Sequence, residues 1–192
     1  MSSISTSPIE NPEPAWVAEV LRFWFVEISP TLWFAKNKAL DQQIRDRFLA
    51  THQQLLASEA AGISGPRTML AAVIVFDQFS RNLFRGDAHA FAADATARRI
   101  TNQAIEQGFD AAMSAPERMF LYLPFEHSEN VADQARSVAL TQTLGNEEWT
   151  RFALAHKQII DRFGRFPHRN AALGRQSTAE EIEMLKGPMS SF

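Results

Sequence analysis

Apolar residues recur along the chain at intervals of three and four from Pro12 onward, a spacing that predicts one amphipathic helix after another. Val17, Val20, Leu21 and Trp24 mark a first helix that ends before Ser29-Pro30. Leu40, Ile44, Phe48 and Leu55 put a second over about Lys38 to Ala61, with Gly62 as a left-handed cap. Pro66 opens a third, TMLAAVIVFDQF. Its Val73-Ile74-Val75 core would also suit a buried strand, but its neighbours are helical and a lone strand has nothing to pair with. It reads as a central helix, apolar on all sides because others surround it.

A fourth helix is expected over about Ala88 to Gln107, closed by Gly108. Ser114 and Glu117, with Pro116 between them, form a capping box for a fifth that ends near Pro124. The sixth covers about Asn130 to Leu144 before Gly145. The seventh runs from Glu147 to Phe163, with Trp149, Phe152, Ala153, His156, Ile160 and Phe163 in one stripe and Gly164 at its end. Ser177 and Glu180 suggest a second capping box, for a last helix stopped by Gly187-Pro188. The fold class is all-α, about eight helices as stacked antiparallel hairpins, with residues 1-11 a disordered lead and 12-192 a single domain. The internal repeat of a true tetratricopeptide array is missing.

Composition narrows the function classes. At 192 residues and 45% apolar the chain can bury a sizeable core. It has no cysteine, which excludes disulfides, thiolate-zinc sites and cysteine nucleophiles. A net charge of -3 argues against a nucleic-acid partner. The first residues have no basic start or apolar run, and the longest apolar run, Met69 to Phe76, is far short of a membrane span, so neither secretion nor a membrane is expected and a cytoplasmic location is.

Charge and aromatic residues gather in three inter-helix stretches. The densest is Arg162 to Arg175, RFGRFPHRNAALGR, which holds Arg165, His168, Arg169, Asn170 and Arg175 and meets no acid until Glu180. Asp77 to Gly86, DQFSRNLFRG, places Arg81 and Arg85 four apart, on one face if the turn is helical. Leu123 to Asp133, LPFEHSENVAD, offers Glu126, His127, Glu129 and Asp133. Two stretches are cationic and one anionic, so they are expected to meet.

These stretches, with FWF at Phe23 to Phe25, WF at Trp33-Phe34, YLPFEHSE at Tyr122 to Glu129 and the following ST-x-EE, resemble a bacterial domain-of-unknown-function family, number 924, over nearly all of residues 20 to 192. Ser80 stands where that family more often has proline, and Glu126 where it often has another residue. The resemblance implies an all-α fold similar to the right-handed superhelices of tetratricopeptide (TPR) proteins. It implies no activity, cofactor or catalytic residue.

Two readings of the junction follow. In one, Glu126, Glu129 and Asp133 pair with Arg81, Arg85, Arg165 and Arg169 and lock the corners together. In the other, arginine is in surplus. Arg165, His168, Arg169 and Arg175 then hold a small anionic ligand, phosphate or carboxylate, with Arg81 or Arg85 facing them and backbone donors from a helix starting near Ala171. Histidine beside Glu129 would add acid-base chemistry. A metal held by His127, Glu129 and His168 lacks a known spacing, so no metal is expected. His156 reads as a core histidine, His52 and His89 as exposed, and the paired aromatics as core. The competing function class is a TPR-like scaffold for a protein or peptide partner, with a homodimer also open. The sequence contains no phosphate loop, dinucleotide fingerprint, nucleophile elbow or HExxH helix.

Overall fold

A computed structural model describes residues 13–187, so the expected lead at 1-11 and Pro188 lie outside the described residues. Those residues form helices α1 (Ala15–Arg22), α2 (Lys38–Ala57), α3 (Pro66–Val73), α4 (Ser80–Leu83), α5 (Asp94–Glu106), α6 (Ala115–Glu126), α7 (Val131–Gln142), α8 (Glu147–Phe163) and α9 (Ala179–Met184). Wider π-helical turns extend α1 over Phe23–Glu27 and join α3 to α4 over Ile74–Phe79. With α3 and α4 counted as one rod, the described residues make eight helices and no strand. The apolar run at Val73-Ile74-Val75 is therefore helical, and every residue from Thr68 to Ser80 is buried.

The rod is central because other helices cover it on every side: α1, α2, α5 and α6 all pack on it. Phe79 anchors the core, with ring centroids 4.9 Å from Phe48, 5.6 Å from Trp24 and 6.1 Å from Phe23. Each such aromatic pair adds about 0.5–1.5 kcal/mol to what burial alone provides. Phe120 of α6 continues the cluster toward Trp24 and Trp33. Helices α6, α7 and α8 pack successively across short turns, leaving the faces of α6 and α8 at the edge of a cavity.

Several boundaries differ from expectation. Helix α2 stops at Ala57, because Glu59 and Ala60 both take the left-handed conformation well before Gly62. Residues 88–91 form a separate 3₁₀ turn, and α5 begins only at Asp94. Helix α6 runs two residues past Pro124, which sits inside it. The Thr101 hydroxyl donates to the Leu121 carbonyl in the turn before that proline, at 2.9 Å. The final capping box uses Thr178 and Glu181, one residue later than Ser177 and Glu180. No helix starts near Ala171; the chain there turns without regular structure.

Candidate functional site

The π-helical turn delivers Asp77 and Gln78 to the junction of the rod, α5, α6 and the Phe166–Arg175 segment. Asp77 is fully buried. It accepts from His127 Nδ1 at 2.8 and 2.9 Å and from Gln78 Nε2 at 2.6 Å, and Arg81 lies 3.2 Å away. Burial alone would raise the Asp77 carboxyl, but Arg81, His127 and Gln78 outweigh it and hold it well below the usual carboxylate range. An ionised Asp77 fixes the His127 tautomer with its proton on Nδ1. Burial, with Arg81 and Arg169 nearby, then keeps His127 below its ordinary value despite Asp77. Its ring is a neutral base at neutral pH, held in orientation from behind.

Arg81 is saturated. It clamps Asp94 through two bonds of 3.0 and 3.1 Å and gives a third to the Asp77 carbonyl at 2.7 Å. Arg85 clamps Asp41 at 2.7 and 3.0 Å, with Asn82 on the same carboxylate. Arg169 is different. It is buried, with 7% of its side chain exposed, and its nearest carboxylate oxygen is 3.4 Å away on Asp94, already held by Arg81. Nη2 donates to the His127 carbonyl at 2.9 Å, and Nε has no hydrogen-bond partner. Its guanidinium lies between the rings of Phe91 and Phe166, 4.7 and 4.5 Å from their centroids. Burial and the neighbouring Arg81 lower it to about 10. His168 beside it falls to about 3 through burial and the charge of Arg169.

These groups open into a cleft of about 350 Å³ lined by Arg81, Arg85, Arg169, Lys36, His127 and His168, among others, and the described residues on its wall include no carboxylate. The balancing aspartates, Asp41, Asp77 and Asp94, stand behind the arginines. A second cavity of about 290 Å³ adjoins it and shares Phe34, Lys36, His127 and His156. Glu126 lies in that second wall, 3.1 Å from His156 Nδ1. Burial, with Asp77 nearby, pushes Glu126 up to about 8, whereas burial lowers His156 to about 3. Both are neutral at pH 7. Their contact is therefore not an ion pair, and His156 Nδ1 donates to the Phe152 carbonyl at 2.9 Å.

The remaining expected site residues form a separate structure. Glu129 accepts from both terminal nitrogens of Arg175 at 2.7 and 2.9 Å and from the Phe166 backbone N–H at 2.7 Å. Arg175 Nε reaches Asn170, whose amide donates to Ser177 and Glu181. Arg165 clamps Glu181 at 2.6 and 2.8 Å. This lock fastens the irregular segment from Gly164 to Thr178 onto the turn between α6 and α7, through Glu129, and onto α9, through Glu181, and lies off the cleft wall. Glu129 falls below its usual range, since Arg175 and the Phe166 N–H outweigh burial.

The locked arginines and Arg169 thus lie in different places. The pairings differ from those expected, for Asp133 meets Arg98 and Glu126 meets a histidine. Glu129 meets Arg175, and Arg81, Arg85 and Arg165 take Asp94, Asp41 and Glu181 instead. His52 is buried against Ser80 at 2.8 Å, not exposed, and Phe34 is 62% exposed rather than core. His127 and Glu129 serve different partners, and among the described residues no group of three or more His, Asp or Glu could hold a metal ion. The spacing of Asp77 four residues before Arg81 was the one available signal for Asp77. Asp41, Asp94, Gln78 and Lys36 carried none.

A family profile described as a bacterial protein of unknown function, DUF924, matches residues 20–189. A solved structure of a protein of unknown function from Agrobacterium tumefaciens is similar at 42% identity and a TM-score of 0.85, covering 90% of this chain and 98% of the other. No curated protein matches the chain. Among the described residues, no helix is long and apolar enough to cross a membrane.

Proposed function

The chain belongs to the bacterial family of unknown function DUF924, a membership that brings no activity with it, and we propose that it binds a small phosphate or carboxylate in the cleft beside Arg169. One observation carries this reading. Arg169 is a buried cation whose only carboxylate contact among the described residues is long and shared, and whose charge already costs enough to lower it to about 10. Buried charges are ordinarily paired, and an arriving anion supplies the missing pair. Arg81, Arg85 and Lys36 on the same wall add positive field without exposing a carboxylate to repel the ligand. A cleft of this volume suits a metabolite-sized group.

Thermal unfolding of the full chain in phosphate, sulfate and simple carboxylates tests the proposal. An anion at about 100 times its Kd adds about 2.7 kcal/mol and raises Tm by roughly 5–10 °C. Arg169→Met replaces the stacked guanidinium with an uncharged side chain that still packs beside Phe91 and Phe166 and should abolish the rise in a folded protein. A variant that keeps the full shift, or a wild type that shows none with any of these anions, refutes the reading. Cytoplasmic location belongs to the same proposal, since a metabolite ligand would be met there.

A further inference from the structure

The second cavity gives that ligand a second part. Resting on the anion reading above, we infer that the ligand is amphipathic, with its anionic head at Arg169 and an apolar arm in the adjoining chamber between α6 and α8. The two spaces share one partition, made by Phe34, Lys36, His127 and His156. On the far side the chemistry changes. Met119, Leu123, Trp149 and Phe152 form the chamber walls, and among the described residues that line it Lys36 is the only lysine or arginine.

Two further observations favour an occupant over empty packing. Phe34 is 62% exposed and Phe152 is 36% exposed, and both line the chamber. Large aromatic side chains left open beside a cavity lose free energy that an apolar guest restores, about 25 cal/mol for each Å² covered. The polar groups that do face the chamber, Glu126, His156 and Thr141, carry no charge near neutral pH and so do not oppose an apolar arm. A neutral Glu126 is also a hydrogen-bond donor, suited to a single oxygen on such an arm. Together the two spaces fall well within the roughly 300–1,000 Å³ typical of small-molecule sites.

Isothermal titration of the full chain with inorganic phosphate, then methyl, butyl and hexyl phosphate, then alkyl carboxylates of matched length, tests the inference. Full burial of each methylene tightens binding about fourfold, so a gain of about tenfold or more from methyl to hexyl is expected in whichever head-group series binds. Phe152→Ser, at a partly exposed position that tolerates change, should weaken the hexyl compound and leave inorganic phosphate or acetate unaltered. Arg169→Met should weaken every member of the series by a similar factor. A flat series in which phosphate still binds overturns the amphipathic ligand and spares the anion reading; no binding by any compound removes both. Equal loss of the short and long compounds in Phe152→Ser also overturns it.

Discussion

Glu126→Gln should change how stability depends on pH, in a window set by the structure. The carboxyl rises from an ordinary 4.5 to about 8 because it is buried near Asp77, so the folded state binds its proton more tightly than the unfolded state. Its contribution is therefore complete below about pH 4.5 and is lost as pH rises toward 8. His52, His127, His156 and His168 are all lowered from 6.5, chiefly by burial, which acts in the opposite direction: their neutral burial is penalised by acid and costs nothing further above about pH 6.5. Between about pH 6.5 and 9 Glu126 is left to dominate. With about 1.4 kcal/mol for each tenfold change in proton affinity, wild type should lose about 2 kcal/mol across that interval. Glutamine keeps the shape and still offers an oxygen to His156, yet cannot ionise, so the variant's profile should be nearly flat there. Urea unfolding at several pH values measures both slopes. Parallel slopes for the two proteins would refute the claim that Glu126 is held neutral.

Two other outcomes concern stability. Glu129→Gln removes the charge from a partly buried bidentate pair and should cost about 1–2 kcal/mol, between the ranges for exposed and buried pairs. Limited proteolysis should then cut first between residues 164 and 178, and cleavage elsewhere would show that the lock is not what holds the segment. Phe79→Ala, at the centre of the aromatic core, should cost about 3–5 kcal/mol by urea unfolding, and a loss under 1 kcal/mol would mean the cluster repacks freely.

The helices were legible because their signals are local. The start of α8 at Glu147 and its stop at Gly164 fall where expected, as does the capping box at Ser114 and Glu117. Errors arose where a long-range contact overrode a local rule. Nothing between Ala57 and Ala61 forbids helix, yet the chain turns at Glu59 and Ala60 and buries Ala60. Pro124 stays within α6, where the residues on either side of it, Leu123 and Phe125, are core. The cationic half of the junction could be read from composition, since arginines crowd into loops. Its partners could not, because Asp41, Asp94 and Glu181 lie on ordinary amphipathic helices and become relevant only through the fold. His52 looked like a polar position on a surface helix, and only the packing of α2 on the rod turns it inward.

The lock around Glu129, Arg175 and Glu181 also settles when the entropy of the site is spent. The segment that carries His168 and Arg169 is mostly irregular and would have many conformations if released. Because Glu129 in the turn after α6 and Glu181 on α9 fix it during folding, a ligand of the proposed kind would meet donors already in place. Association should then be governed by diffusion and by stripping water from Arg169, with no closing step whose rate could saturate as ligand concentration rises.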